Sequence, residues 1–391
     1  MELKRINLHG STLDGLEDVM FDVLFPRHGA VLNHNHGQEN KDGLTIVVRG
    51  IGGVEGNVFV NGRIAEYDGK GFSSSVILQG KTNTISIEQQ DANGLLRREL
   101  KVVWDKGSFK RYNFFIDDHS FFLADLARDK PRSLFEHFYL AFLKRMHETY
   151  GTKFTLNTFY RNDHDPGHFT LSMMPDTWRA EWEENCEWLR LAFHAYSEFP
   201  DRPYQNDSGE RLGRDMDLIQ NEIKRFAGEG SLIAPVVLHW AMARPEALHK
   251  LTERGVTCLE GQFVNPRTGT EDVGSRGAVC DVGYFMNLED GRFLEAQGIL
   301  HDFKHDITFF RGDCTANLWT PTQIKERIAE ASHSPRDFIS LASHEQYSFP
   351  RYFNYLPDHF ERVETSIREV IKYGYEPVFF SDGLMGNRSW K

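Results

Sequence analysis

Hydrophobic and polar positions alternate along the first quarter of the chain and then fall into longer, helix-spaced groups. Leu44, Ile46 and Val48 alternate with other residues in GLTIVVRG, the period of two expected of a strand with one buried face. Val58 and Val60 repeat this just before Asn61-Gly62, a pair that tolerates positive φ and signals a hairpin turn. Phe72, Val76 and Leu78 follow, then Ile85 and Ile87, with Asp91-Ala92-Asn93-Gly94 as another turn. Leu100, Val102 and Val103 close the set. Short strands at this spacing, punctuated by Gly and Asn, predict a β-sandwich.

After Trp104-Asp105-Lys106-Gly107 the pattern becomes strands alternating with helices. Apolar runs at 113–116, 153–160, 188–195, 232–240, 256–261, 337–343 and 377–380 predict about seven strands. Between them, Ser133-Leu134-Phe135-Glu136 has the form of a capping box. It would open a helix with Leu134, Phe138, Phe142 and Met146 on one face. Asp176 stands before WRAEWEEN as a cap, residues 208–226 read as helix up to Gly228, and Pro245 starts a short helix. Phe360, Val363, Ile367, Val370 and Ile371 line a last helix stopped by Gly374. Such alternation predicts an α/β unit, either a parallel (β/α) barrel or a doubly wound sheet. The chain thus divides into 1–107 and 108–391. Each part has its own apolar periodicity, so the second is expected to fold without the first.

A length of 391 residues accommodates two such domains. The formal net charge of −12 argues against nucleic acid, because a binder needs cations to displace counterions; it equally disfavours an anionic membrane surface. Met-Glu-Leu-Lys-Arg-Ile-Asn has no apolar run after its charges, so no signal peptide is expected and the location reads as cytoplasmic. No stretch is long and apolar enough to span a bilayer. Cys186, Cys258, Cys280 and Cys314 form no CxxC pair, so neither a zinc knuckle nor a redox motif is suggested.

Ligands of α/β folds bind at the carboxyl ends of the strands. The polar residues there are Asp117 and Asp118 after FFI, Tyr160 and Arg161, His194 after LRLAF, His239 after APVVL, Glu260 after TCL, and His344-Glu345 after ISLAS. Two adjacent carboxylates and three histidines form a metal-site inventory. Carboxylate oxygen and imidazole nitrogen suit Zn²⁺, and also Co²⁺, Ni²⁺ or Mn²⁺. Each has a structural alternative: the Asp pair as a cap of the next segment, the histidines as hydrogen-bonded core residues. His34 and His36 in HNHG are a second His-x-His pair without a third ligand nearby.

In order along the chain, FFIDDHSFF, KFTLNTFY, FHAYSEFPDRPY, LHWAMARPEALHKLTERGV and SLASHEQY resemble the motifs of the polysaccharide deacetylases, the NodB-like group of the glycoside hydrolase/deacetylase superfamily. The resemblance covers roughly 110–385 and implies a distorted (β/α) barrel. The string from VFVNGRIAEYDGKGF to EQQDANG resembles bacterial immunoglobulin-like domains. The deacetylase resemblance implies a divalent metal, most simply zinc, held by Asp118 and His194, with Asp117 as general base and His344 as general acid; Glu345 would orient His344. The family's second histidine of His-x-x-x-His is Glu198 here, so Glu198, His239 or Asp201 would complete the site. Trp240, Tyr347 and Tyr160 are candidate sugar-stacking surfaces. The stretch at about 265–320, with His301, Asp302, His305, Asp306, Arg311 and Asp313, would either cover the cleft or be a solvated excursion.

The implied activity is deacylation of an N- or O-acetylated saccharide. A rival is a metal-free glycoside hydrolase pairing Asp117 or Asp118 with Glu260 or Glu345, which requires carboxyls about 5 Å or about 6.5–9.5 Å apart. A third reading is a carbohydrate-binding protein without turnover. The oligomeric state is open.

Overall fold

The computed structural model describes residues 21–53, 56–91, 94–261 and 283–390. Its first ten strands are β1 (Phe21–Phe25), β2 (Val31–Leu32), β3 (Gln38–Asn40), β4 (Gly43–Gly52), β5 (Val58–Val60), β6 (Arg63–Ile64), β7 (Glu66–Tyr67), β8 (Gly71–Leu78), β9 (Thr82–Asp91) and β10 (Gly94–Trp104). They form two sheets, β1-β4-β8-β7 with β3 on β4, and β2-β10-β9-β5-β6. The alternating residues face a common core, where Leu44, Ile46, Val48, Ile85 and Ile87 are fully buried. Asn61 and Gly62 both take positive φ, 48° and 73°, as the two-residue turn joining β5 to β6 requires. The expected turn at Asp91–Gly94 lies partly outside the described residues.

The rest of the chain runs β11 (Arg111–His119), α1 (Phe121–Asp129), α2 (Phe138–Tyr150), β12 (Phe154–Phe159), α3 (Arg179–Glu184), β13 (Leu189–Ala195), α4 (Glu210–Ala227), α5 (Leu248–Thr252), β14 (Cys258–Gly261), α6 (Leu288–Gln297), β15 (Ile299–Asp302), β16 (Ile307–Arg311), β17 (Cys314–Thr315), α7 (Pro321–Ser332), β18 (Phe338–His344), α8 (His359–Lys372) and β19 (Glu376–Pro377). A parallel sheet has the order β13-β12-β11-β18-β17, with β19 on β11. Every residue of β11 is buried, as befits a central parallel strand covered on both faces. A smaller sheet, β14-β16-β15, stands apart from this ladder.

Three local expectations are corrected. The run at 232–240 is not a strand: it makes one bridge, Leu232 to Leu191. Pro235 lacks the N–H a ladder needs, and the run ends where Trp240 and Ala241 turn left-handed. The capping box at Ser133 does not form. Glu136 accepts from the amide of Arg132 instead, and Glu181 takes the Ser133 hydroxyl and the Leu134 amide. A short 3₁₀ turn follows, and α2 starts at Phe138 with His137 as its cap. Asp176 likewise lies outside its helix, which begins at Arg179 after Trp178.

Each part has its own core, and a third cluster spans the boundary between them. Val31 of β2 and Val103 of β10 pack in one cluster with Phe115, Val237, Phe310, Phe338 and Phe380. Polar bonds cross the same boundary. Arg111 pairs with Asp105 at 2.9 Å with both side chains buried, Asn33 donates to Asp337, and the Trp390 indole donates to the Trp104 carbonyl at 2.7 Å. Residues 299–303 lie at this boundary. The His301 amide donates to the Gly29 carbonyl and Phe303 packs edge-on against His28; Asp313, within the second part, holds Arg336. Asp302 pairs with His305, His301 with Asp306, and Arg311 with Glu295. Residues 265–282 of that stretch lie outside the described residues. Among the described residues, no helix is long and apolar enough to cross a membrane.

Candidate metal centre

The carboxyl end of β11 lies between those of β12 and β18, so residues far apart in sequence meet there. Asp117 stands opposite His344 in the β11–β18 register. Neighbouring residues of a regular strand point to opposite faces, which would separate Asp117 from Asp118. The β11–β12 register shifts between Ile116 and His119, and Asp118 takes φ of 66°. This bulge breaks the alternation in a left-handed conformation that Asp tolerates better than most residues.

Asp118, His194 and His239 each offer a ligand atom within 4.8 Å of the others, and all three residues are buried. His194 Nε2 is 3.2 Å from Asp118 Oδ1 and 3.3 Å from His239 Nδ1. His239 Nδ1 is 3.6 Å from Asp118 Oδ1. The Nε2 of His239 lies 3.0 Å from the Glu198 carbonyl. Donation to that carbonyl places the ring proton on Nε2 and turns the Nδ1 lone pair toward the group, a common way of fixing a ligand histidine. Asp118 Oδ1 is buried without a hydrogen bond of good geometry, which a polar atom seldom is unless something else satisfies it. These donors fit a divalent ion of the zinc type.

Burial alone would raise Asp118, but the close His194 imidazole and the charges of His344 and His239 hold its carboxyl far below the usual range. Burial lowers His194, yet Asp117 and Asp118 outweigh it and leave the imidazole raised. Burial and the neighbouring His194 push His239 down to about 4. Burial raises Asp117 despite His194 and His344. Asn157 donates to Asp117 Oδ1 at 2.7 Å, and Asp117 Oδ1 stands 3.9 Å from His194 Nδ1.

Glu198 is not part of the donor group. Its carboxylate pairs with His164 and accepts from Gln346 at 3.3 Å, and it reaches the group only through its backbone carbonyl. The Glu198 pairing raises the His164 imidazole against burial. His239 takes the third position, and Asp201 is exposed. His344 Nδ1 lies 3.0 Å from Asn317 Oδ1, so Asn317 orients it.

The Glu345 carboxylate is turned toward α1 rather than bonded to His344. Its oxygens accept from the amides of Ser120, Phe121 and Phe122 at 2.8, 2.9 and 2.6 Å. Burial pushes its carboxyl up to about 8, against the pull of those amides. Both oxygens nevertheless face N–H donors, an arrangement only the carboxylate satisfies. Glu260 is buried, bonded to Ser340 and packed on Gly312; burial, with the nearby charges of Asp313 and Asp117, raises its carboxyl.

Among the stacking candidates, Trp240 is exposed with Arg202 over its ring at 4.4 Å. Tyr160 packs on Tyr196, and Tyr347 on His344 and Tyr352. His34 lies 3.6 Å from Asp337, and His36 Nδ1 lies 2.9 Å from Asn33 Oδ1; neither joins a ligand-spaced group among the described residues.

Sequence reasoning missed His164, Asn157 and Asn317. Asn157 had a signal, a polar residue inside the buried strand FTLNTF. His164 stands in a turn-rich loop just beyond Arg161, and Asn317 in a short 3₁₀ turn; nothing in their flanks marks them.

No protein-family model matches the chain, and no curated protein matches it. The solved structures distantly similar to it include two. One is a family 4 acetyl xylan esterase from Clostridium thermocellum in complex with a cobalt ion, 13% identical, with a TM-score of 0.35 over 69% of this chain and 87% of that one. The other is a "putative alpha-galactosidase" from Bacteroides fragilis, 12% identical, with a TM-score of 0.27 over 95% of this chain and 81% of that one. At such scores neither likeness decides the fold or the chemistry, which rest on the site itself.

Proposed function

We propose that this protein is a metal-dependent hydrolase that removes acyl groups from an N- or O-acetylated saccharide. The observation that carries this reading is the buried convergence of Asp118, His194 and His239 beside a second, distinct carboxylate. Asp118 Oδ1, His194 Nε2 and His239 Nδ1 would hold the ion. When bound, a zinc-type ion supplies Lewis acidity, activating water and polarising an acyl oxygen.

The protein's own groups do the rest. Asp117 accepts the water's proton at its carboxylate; burial raises its pKa, which suits a general base working near neutrality. Asn157 holds the carboxylate in place. Asn317 on Nδ1 leaves Nε2 of His344 to protonate the departing amine or alkoxide. Trp240 and Phe199, which directly follow His239 and Glu198, are exposed apolar surfaces beside the site suited to sugar rings. In this reading the larger parallel sheet and the mixed β14-β16-β15 sheet form one distorted barrel, and residues 1–107 are an immunoglobulin-like domain in front of it.

The test is acetate release from a panel of N- and O-acetylated mono- and oligosaccharides by zinc- and cobalt-loaded protein. Metal-dependent acetate release without cleavage of glycosidic bonds is expected. Metal-independent glycosidic cleavage would favour the hydrolase rival, and full metal uptake with no turnover would favour a binding protein.

A further inference from the structure

The carboxylate of Glu345 is 225 residues from Ser120 in sequence, yet it accepts three consecutive amides at the start of α1. Those amides belong to Ser120, Phe121 and Phe122, directly after Asp117, Asp118 and His119. They are among the amides that have no partner within a helix. Ser120 supplies no side-chain cap, so Glu345 takes that part from another strand. It does so with its own residue fully buried. Glu345 is also the neighbour of His344, which lies opposite Asp117 across the β11–β18 ladder.

We propose that Glu345 is a positioning residue that fixes both halves of the site at once. On the β11 side, it clamps the chain immediately after the bulge, so that Asp118 stays in its left-handed conformation with its carboxylate aimed at His194 and His239. On the β18 side, the same clamp sets where His344 leaves its strand. The inference rests on the metal reading of Asp118, His194 and His239, and it assigns Glu345 a role apart from orienting His344 by a side-chain bond.

The test is cobalt titration of the apo full-length protein and its Glu345→Gln variant, followed by visible absorption, with circular dichroism as the control for folding. An amide in place of the carboxylate sets a donor against the amides of α1. The variant should stay folded, bind cobalt about 10–100-fold more weakly, as outer-shell changes typically do, and show an altered cobalt spectrum. Glu345→Asp, one methylene short of spanning the three amides, should shift the spectrum in the same way. In the wild type, cobalt should slow hydrogen exchange of the Ser120–Phe122 amides, because coupling between the two sites is reciprocal; this readout stands even where both variants fail to fold. If wild type binds cobalt while the variants match its affinity and spectrum, or if exchange at those amides ignores the metal, the positioning role is wrong and the metal site stands. A wild type that takes up no cobalt overturns the metal reading and this role with it.

Discussion

Asp117 and Asp118 are consecutive, yet their surroundings assign them different work. Asp118 Oδ1 lies among the imidazole nitrogens of His194 and His239, whereas Asp117 is held by the Asn157 amide and faces His344 along the ladder. Asp117→Asn is therefore expected to keep the metal and lose about 10²–10⁴-fold in kcat, the usual worth of a general base; metal analysis and turnover on one preparation check this. A second pair of substitutions separates the candidates for the third ligand. Glu198→Gln should retain a full equivalent of metal, because that carboxylate is turned toward His164 and Gln346. His239→Ala should lose it, and the opposite result would place Glu198 in the coordination shell. Asp117, Asp118, His194, His239 and His344 were all legible in the sequence because each ends an apolar run. The choice between Glu198 and His239 was not. It depends on a backbone carbonyl and a histidine from a distant loop, and neither leaves a mark in the local pattern.

The elements that place these residues were the more legible part. The runs around 113–116, 153–160, 188–195 and 337–343 are β11, β12, β13 and β18 of one parallel sheet, and their burial on both faces is what makes them read as apolar runs. Signals that depend on one side chain finding one amide fared worse: Glu136 takes the Arg132 amide, which no local pattern reveals, and Asp176 stands three residues before a helix it does not cap. These elements also bury histidines. His119 at the end of β11 sits between the Asn157 carbonyl and the Tyr139 hydroxyl, and burial brings it down to about 3. Burial also lowers His359, at the start of α8, to about 3 and His239 to about 4, all from an ordinary value of 6.5. A base whose folded pKa is depressed stabilises the fold above its unfolded pKa, and that stability is lost as pH falls toward the folded value. His194 and His164, raised instead, work in the other direction, as do the raised carboxyls of Asp117, Glu260 and Glu345, so the prediction is made for one ring. In the metal-free protein, the stability of the wild type relative to His359→Gln should fall between pH 6.5 and 5 by on the order of 2 kcal/mol, read from paired urea midpoints. A difference that is flat or rises over that window would contradict the buried-neutral state of this ring.

At the scale of the whole molecule, apolar periodicity suggests two self-sufficient parts; the structure gives each its own core and adds a cluster between them. Periodicity reports which face of an element is buried but not against what; Val103 reads as sandwich core and packs, with Val31, against Phe310, Phe338 and Phe380 of the other part. Removing residues 1–105 would expose that cluster and strip Asp105 from the buried Arg111. The isolated remainder is expected to unfold at a markedly lower temperature or without cooperativity, which calorimetry checks. Asp105→Ala in the full chain should cost about 3–5 kcal/mol, as breaking a buried ion pair does, measured by urea denaturation. Function converges on one point of this architecture, the meeting of β11, β13 and the loop before Trp240. The measurement that bears on it most directly is metal content per chain, by elemental analysis after reloading with zinc, for the wild type, Asp118→Asn and Asp117→Asn. One equivalent in the wild type and in Asp117→Asn, with loss in Asp118→Asn, is the expected result. Less than about a tenth of an equivalent in the wild type, or a full equivalent in Asp118→Asn, would show that these residues are not a metal centre.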